Sequence, residues 1–125
     1  AGAEAALAQA DERTGIFAQF ETMQAVHNLD AICGVEGLDG IFIGPGDLSV
    51  SLGHPAQVNH PEVIATALKC MRRAQEAGKR TGVLVAPGAL LHAAREAGGD
   101  LVRCGGDVVE LAAAWPKLLA SVPVR

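Results

Sequence analysis

The sequence has few of the residues on which several classes of protein depend. Among 125 residues there is no Tyr, and there are only one Trp and three Phe. Aromatic platforms for stacking single-stranded nucleic acids are therefore lacking. Ten Lys and Arg stand against fourteen Asp and Glu, and the basic residues form no stripe that could neutralise successive phosphates. We therefore expect no nucleic-acid partner.

Cysteines and long apolar runs are also scarce. Cys33, Cys70 and Cys104 are odd in number, far apart and set in apolar segments. This pattern disfavours a disulfide framework or a zinc cluster and favours a reducing compartment. No apolar run approaches the roughly 20 residues that span a bilayer, and the Ala-rich start lacks the basic and apolar regions of a secretory signal. The sequence thus predicts a soluble, cytoplasmic protein without a membrane partner.

Half of the residues are hydrophobic, and they occur in short apolar runs that alternate with segments of helical period. We predict strands at residues 16–20, 40–43, 81–85 and 100–104. We predict helices at about residues 2–12, 23–33, 88–97 and 107–120, and a longer one that follows Asn59 and ends at Gly78. Asn59 with Glu62 resembles a capping box, and Pro61 suits a first turn. Residues 44–59 are predicted to form a loop because they are rich in Gly and Pro.

Four strands that each lead into a helix indicate parallel pairing through right-handed crossovers, and hence the α/β class with four βα units. Residues 41–43 and 83–85 are apolar without alternation, as strands covered on both faces should be. Gln19 and Glu21 lie two residues apart and therefore share one side of the first strand. An inward carboxylate is costly unless a cation meets it, and in α/β barrels the functional residues collect at the C-terminal strand ends.

The polar residues at these strand ends belong to a longer series of segments with a distinct order and spacing. These segments are Gln19-Phe20-Glu21-Thr22, Asn28-Leu29, residues 35–49 with Gly44-Pro45-Gly46-Asp47, residues 51–54, His60-Pro61-Glu62-Val63, residues 77–79 and Gly82-Val83-Leu84. Their order resembles that of one known family, the metal-dependent 2-keto-acid aldolases named for 2,4-dihydroxyhept-2-enedioate aldolase (the HpcH/HpaI family), which includes 2-keto-3-deoxy-sugar-acid aldolases. The resemblance covers nearly the whole chain. It implies that residues 1–125 are a single partial domain, the C-terminal half of a (β/α)8 TIM barrel.

The resemblance also implies an activity and a set of site residues. The activity is that of a class II pyruvate aldolase, a carbon–carbon lyase that cleaves a 4-hydroxy-2-keto acid into pyruvate and an aldehyde with Mg²⁺, Mn²⁺ or Co²⁺. Glu21 and Asp47 would bind the metal, the backbone N–H groups of Gly46 and Asp47 would hold the substrate carboxylate, Gln19 would be a catalytic-site residue beside the metal, and Leu84 would form an apolar wall near the aldehyde. A homo-oligomer is implied as well. Where this chain has Gly46, the family more often has Ala.

Such a site is chemically reasonable. Two carboxylates supply the oxygen ligands that a hard divalent cation prefers and leave other positions for water and a chelating 2-keto acid. A cation there acts as a Lewis acid and stabilises the enolate that forms when the C–C bond breaks.

Each residue also has a plainer interpretation. Glu21 could be a helix cap or a solvated carboxylate, Asp47 could close an Asx turn, Gln19 could satisfy backbone groups and Leu84 could belong to the core. His27, His54, His60 and His92 lack carboxylate or cysteine partners at ligand spacing, which predicts surface or capping roles. Cys104-Gly105-Gly106-Asp107 resembles a phosphate-cradling turn, but a helix start capped by Asp107 explains it equally well.

Two alternatives to the aldolase remain at this point. One is a citrate-lyase-like enzyme acting on acyl-CoA, which needs a basic pocket for the CoA phosphates that the sequence does not indicate. The other is a noncatalytic half-barrel that serves in assembly. The family takes its catalytic His and its substrate-binding Arg from the first half of the barrel, so this chain alone would lack part of the active site. Open strand edges would also invite pairing with another chain.

Overall fold

The computed structural model describes residues 2–103 and 105–122. Within these residues the chain forms four short strands, each followed by at least one helix. The strands are β1 (Phe17–Phe20), β2 (Gly40–Ile43), β3 (Arg80–Leu84) and β4 (Leu101–Arg103). The helices are α1 (Ala3–Ala8), α2 (Ala10–Arg13), α3 (Met23–His27), α4 (Leu29–Cys33), α5 (Pro45–Ser51), α6 (Pro61–Glu76), α7 (Ala89–Glu96) and α8 (Asp107–Ser121).

The strands form one parallel sheet in the order β1-β2-β3-β4. Phe20 pairs with Ile43, Ile43 with Val83, and Val83 with Val102. Because neighbouring strands in the chain are also neighbours in the sheet and are joined by helices, the chain consists of consecutive parallel βα units. The predicted α/β class with four such units is confirmed.

The helices cover one face of this sheet. Ile41 and Ile43 of β2 and Val83 of β3 are fully buried there, in one cluster with Ala67 and Met71 of α6. Burial of an aliphatic side chain of this size contributes about 1.5–3 kcal/mol. The apolar residues of α6 recur at intervals of three and four and lie on the side that faces the sheet, where the buried and half-buried ones include Ile64, Ala67, Leu68, Met71 and Ala74.

Two glycines allow large side chains to lie flat on the other face of the sheet. A Cβ at Gly82 would come within 2.5 Å of the Phe42 ring on β2. A Cβ at Gly40 would clash with the backbone oxygen of Arg80 and come within 2.5 Å of the Phe17 ring. Strand alternation places Gln19 and Leu84 on this same face, which would be the inner face of a closed barrel.

One predicted loop is a helix at its start. Residues 45–51 of the Gly- and Pro-rich segment form α5. Pro45 stands at the first position, where a missing N–H costs nothing, and Leu48 and Ser49 are fully buried. The Ser49 hydroxyl donates to the Gly46 carbonyl at 2.6 Å. The prediction was wrong because burial of the apolar side outweighs the weak helix propensity of Gly and Ser.

Two predicted helices are each divided into two. The helix expected at 2–12 ends and restarts at Gln9, and the one expected at 23–33 is interrupted at Asn28 (φ −96°, ψ 13°). The other boundaries of the described elements differ from the predicted ones by one or two residues, as expected for frayed element ends.

The helix caps also differ from the predictions. His60, not Asn59, caps α6, because its Nδ1 accepts the N–H of Glu62 at 3.3 Å. Asn59 instead accepts the N–H of Leu90, at the start of α7, at 3.2 Å. Gly106 rather than Asp107 occupies the N-cap position of α8, and the Asp107 carboxylate accepts the N–H of Val108 at 3.0 Å.

The last helix, α8, is apolar but exposed. None of its residues is buried, and its large apolar side chains are more than half exposed to solvent. These side chains are Val108, Val109, Leu111, Trp115, Leu118 and Leu119. Across residues 2–103 and 105–122, no helix combines the length and apolar content that crossing a bilayer requires.

Candidate metal and substrate site

Polar side chains collect where β1 and β2 end. Gln19 lies in β1 and Glu21 directly follows this strand. The Gln19 amide donates a hydrogen bond from Nε2 to Oε2 of Glu21 at 2.6 Å, so both side chains lie on the same side of the strand, as their spacing predicts. The pairing of Phe20 with Ile43 sets Glu21 beside Gly44, the residue that follows β2. The carboxylate of Glu21 is therefore next to the entry into α5.

Gly44 provides the space in which this pair lies. Its N–H donates to the Phe20 carbonyl at 2.9 Å, which continues the sheet pairing by one residue. A Cβ at Gly44 would lie 3.0 Å from Gln19 Nε2, 3.0 Å from Glu21 Oε2 and 3.1 Å from Glu21 Cβ. Any larger residue would push both polar groups aside. The absence of a side chain here shapes a cradle around the Glu21 carboxylate.

Gly46 and Asp47 lie in the first turn of α5, immediately after this cradle. Leu48 donates its N–H to the Gly44 carbonyl at 3.0 Å. The N–H groups of Gly46 and Asp47 come before Leu48 in the first turn of α5. Backbone N–H groups in the first turn have no carbonyl acceptor within the helix. Asp47 is exposed and is therefore accessible to a ligand from solvent.

A shallow cavity of about 300 Å³ joins four of the five predicted site residues. Its lining consists of Gln19, Gly44, Pro45, Gly46, Asp47, Val58, Leu84, Val85 and Ala86. Glu21 adjoins the cavity through its hydrogen bond to Gln19. No Lys or Arg belongs to this lining, which is made by described residues throughout.

Three of the plainer interpretations do not fit this geometry. Glu21 is not the cap of α3, because Thr22 occupies the N-cap and its Oγ1 accepts the Ala25 N–H at 3.2 Å. Leu84 is 37% exposed and lies outside the buried cluster, so it is not a core residue of the described chain. Asp47 belongs to a helix rather than to an Asx turn in a loop.

The histidines differ from the prediction in one respect. His27 and His92 are exposed, and His60 has the capping role expected of this group. His54, however, has a carboxylate partner, because its Nε2 lies 2.7 Å from Oε2 of Glu62. The signal in the sequence was the pattern His54, His60, Glu62 across a turn-rich segment, which places three ligand-type residues between the end of α5 and the first turn of α6. The segment at residues 104–107, for which a phosphate-cradling turn and a capped helix start were both considered, begins with Cys104, which lies outside the described residues.

The fold and this site together define a class: a part-barrel of parallel βα units with carboxylates and an open helix start at the C-terminal strand ends. The comparisons with known proteins then give the family. The sequence profile of the HpcH/HpaI aldolase/citrate lyase family matches residues 2–114, and the chain belongs to this family.

Two similar proteins with established names are both aldolases. The chain is 43% identical over 112 residues to a hydroxypyruvate/pyruvate aldolase of Cupriavidus necator, covering 90% of this chain and 42% of that protein. It is 43% identical over 103 residues to a 2-keto-3-deoxy-L-rhamnonate aldolase of Salmonella paratyphi B, covering 82% and 39%. The crystal structure of an HpcH/HpaI aldolase from Desulfitobacterium hafniense superposes with a TM-score of 0.78 at 31% identity, covering 98% of this chain and 49% of the other.

The chain thus spans less than half the length of the curated relatives it matches. The structural match, which includes nearly all of this chain and half of a barrel-type aldolase, agrees with a partial barrel.

Proposed function

We propose that this chain is the metal- and substrate-binding half of a class II pyruvate aldolase, a carbon–carbon lyase that cleaves 4-hydroxy-2-keto acids into pyruvate and an aldehyde. Residues 1–125 would be one part-barrel domain. Two relatives of about 43% identity are aldolases by name, which supports this reaction over the acyl-CoA alternative. The cavity without Lys or Arg in its described lining also offers nothing to bind CoA phosphates.

The donor set suits a hard divalent cation. Glu21 and Asp47 would hold it with carboxylate oxygens, the ligand type that Mg²⁺ and Mn²⁺ prefer. The cradle at Gly44, which a Cβ would fill, leaves room for the Glu21 side chain at the start of α5. Gln19 donates to Oε2 of Glu21 and so fixes the carboxylate, as hydrogen-bond partners of metal ligands usually do. When bound, the cation supplies Lewis-acid stabilisation of the negative charge that develops on the substrate keto oxygen.

The chain's own groups would bind and orient the substrate. The N–H groups of Gly46 and Asp47, at the start of α5, would donate to the substrate carboxylate. Leu84, across the cavity, would contact the apolar part of the aldehyde. The amide of Gln19 would lie beside the reacting carbonyl and hold Glu21 in place. Proton transfer would require a base from the other half of the barrel.

The observation that carries this proposal is the Gln19–Glu21 pair lying against Gly44, at the entry to the helix that bears Asp47. We predict that the chain binds one Mn²⁺ and that Glu21→Gln and Asp47→Asn each weaken this binding by at least about 10-fold, because each removes one anionic oxygen ligand. Electron paramagnetic resonance of free Mn²⁺ during titration measures the affinity.

Glu36→Gln is the matched control. Glu36 is exposed and precedes β2, at the opposite end of the sheet, and its substitution removes the same charge. Equal Mn²⁺ affinity in the parent, the control and both site variants would defeat the assignment of Glu21 and Asp47.

Catalysis is tested with the barrel complete. Mixed with, or joined to, the first half of a relative, the chain should release pyruvate from a 4-hydroxy-2-keto acid. Pyruvate release is measured by a coupled assay in which the pyruvate formed drives the oxidation of NADH. A chelator should abolish the release and added Mg²⁺, Mn²⁺ or Co²⁺ should restore it. Metal binding without pyruvate release in a folded, completed barrel would favour the noncatalytic alternative. A homo-oligomeric assembly is part of the proposal and is measured by light scattering of the completed barrel.

A further inference from the structure

A second group of ligand-type side chains lies after α5, in the segment that connects it to α6. One ligand atom each of His54, His60 and Glu62 lies within 4.8 Å of the other two. His54 Nε2 and Glu62 Oε2 are 2.7 Å apart. The two imidazole rings stack, with centroids 3.6 Å apart and planes inclined by 21°. None of these residues belongs to the cavity described above.

The backbone holds the two histidines in place through successive turns. His54 donates its N–H to the Ser49 carbonyl at 2.7 Å, and its own carbonyl accepts the N–H of Gln57 at 3.0 Å. His60 in turn donates to the Gln57 carbonyl at 2.9 Å. Between them, Ala56 adopts φ +63°, a conformation that L residues rarely occupy and that persists only where the surrounding structure requires it. Backbone hydrogen bonds therefore hold both histidines in position, which lowers the entropy lost when a ligand binds.

Helix capping alone leaves much of this arrangement unexplained. The cap of α6 uses Nδ1 of His60, so Nε2 of this ring remains the nitrogen that can face an ion. The cap also requires neither the stacked ring of His54 nor its contact with Glu62. The site is open to solvent, because the His54 and Glu62 side chains are 24% and 57% exposed. An ion can therefore enter, and water can complete its coordination.

We propose that His54, His60 and Glu62 form a binding site for Zn²⁺, separate from the carboxylate site at Glu21 and Asp47. Two imidazole nitrogens and one carboxylate oxygen are a common zinc ligand set, whereas Mg²⁺ prefers oxygen ligands alone.

Zinc bound tetrahedrally at about 2.0–2.1 Å keeps its ligand atoms roughly 3.3 Å apart. The present separations do not exceed 4.8 Å, so side-chain rotation can bring the ligand atoms to that spacing. Binding replaces the hydrogen bond between His54 and Glu62 and turns the stacked rings until their nitrogens converge.

A zinc ion bound at this site would cross-link the segment that follows α5 to the first turn of α6. His54 lies three residues beyond the end of α5, and His60 and Glu62 belong to the start of α6. Asp47 lies in the first turn of α5. Zinc would thus stabilise the helix that carries this candidate carboxylate ligand, and it would raise the thermal midpoint by an amount that grows with the logarithm of its concentration above its Kd.

The test is a zinc titration of the chain after removal of metals with a chelator, with affinity measured by competition against a chromophoric chelator. We expect one Zn²⁺ per chain in a Glu21→Gln/Asp47→Asn background, which removes the other site. In that background His54→Gln, Glu62→Gln and His60→Asn should each weaken zinc binding by at least tenfold. Asn is a good N-cap, so His60→Asn removes the imidazole and retains the start of α6.

The matched control is His92→Gln, which removes an exposed histidine outside the group and should leave zinc affinity and the zinc-dependent rise in thermal midpoint unchanged. The proposal is overturned by absence of zinc binding in the folded parent, or by site variants that bind as tightly as the control. It is also overturned if His92→Gln weakens binding as much as His54→Gln does. Because three independent variants are measured, failure of one to fold leaves the other two decisive.

Discussion

At the scale of single residues, the two cysteines that the structure describes are shielded from water. Cys33 and Cys70 are 4% and 1% exposed, in the cluster beneath the sheet. Burial raises the pKa of the Cys33 thiol, and burial, only partly offset by nearby Lys69, raises the pKa of Cys70 to about 11 from an ordinary value of 9.0. Their apolar settings were correctly predicted from the sequence, and they are structural rather than reactive groups.

The Cys70 pKa predicts how stability depends on pH. The folded chain holds the Cys70 proton more tightly than the unfolded chain, so its contribution to stability is complete below pH 9 and is lost as the pH rises towards 11. A pKa of about 11 in place of 9.0 corresponds to roughly 3 kcal/mol. Urea unfolding under reducing conditions, at intervals between pH 8 and 11, should show a steeper loss of unfolding free energy in the parent than in Cys70→Ala.

Cys70→Ala is itself the control for alkaline effects on the rest of the chain, because every other side chain is the same in both proteins. The small cavity it creates lowers stability at every pH, so the slopes are compared rather than the absolute values. Identical slopes above pH 9 would show that Cys70 is not desolvated in the folded state.

At the scale of elements, the junction between β2 and α5 decides whether the candidate site can form. Gly44 and Gly46 are two residues apart and differ in the space available for a side chain: it is filled at Gly44 and open at Gly46. A Cβ at Gly44 meets Gln19 and Glu21 at about 3.0 Å, whereas a Cβ at Gly46 meets nothing within 4 Å. Neither glycine has a positive φ. The difference between them is therefore space and not backbone conformation.

This contrast gives a matched pair of substitutions. Gly46→Ala should stabilise the chain by about 0.5–1 kcal/mol, because Ala loses less backbone entropy in a helix, and it should leave Mn²⁺ affinity unchanged. Gly44→Ala should displace the Gln19–Glu21 pair and weaken Mn²⁺ binding. Urea unfolding and Mn²⁺ titration of both variants provide the measurement. Equal Mn²⁺ affinity in the two variants would contradict the cradle at Gly44.

The outcome expected for Gly46→Ala also bears on the resemblance to the aldolase family, which more often has Ala at this position. Because the inferred substrate contact is made by the backbone N–H, and because the added methyl would point into open space, the departure from the family pattern does not disturb the proposed site.

At the scale of the whole molecule, the sheet is open and the last helix is uncovered. The four strands have two edges, and α8 presents its apolar side chains to solvent within the described chain. Trp115, which is 55% exposed, is the single Trp of the sequence. Its fluorescence therefore reports on the surroundings of α8 without interference.

We predict that Trp115 in the dilute chain emits at nearly the wavelength of the urea-unfolded chain and that acrylamide quenches it almost as efficiently in both states. Solvent exposure of the indole is the physical reason. Dilution over a wide concentration range is the control for self-association. A blue-shifted emission that resists quenching at the lowest concentration would show that α8 is covered in the single chain.

Much of the fold could be predicted from the sequence. Apolar runs at 40–43 and 81–85 and the helical period of residues 61–76 depend on local spacing alone, and the structure has these elements within two residues of the predicted bounds. Gln19 and Glu21 were expected on one side of a strand for the same local reason, and they are hydrogen-bonded there. Family membership was also predicted correctly, because it depends on the order and spacing of particular residues along the chain, which can be read directly from the sequence.

Tertiary structure decided what local spacing could not. Residues 45–51 are helical because Leu48 and Ser49 are buried, although their Gly and Pro content favours a loop. His60 rather than Asn59 caps α6, because Asn59 is engaged by Leu90, 31 residues away in the chain. His54 and Glu62 meet only because the turns between them fold back. The first two outcomes depend on packing against residues distant in sequence, and the third depends on the path of the intervening turns, so local spacing alone did not decide them.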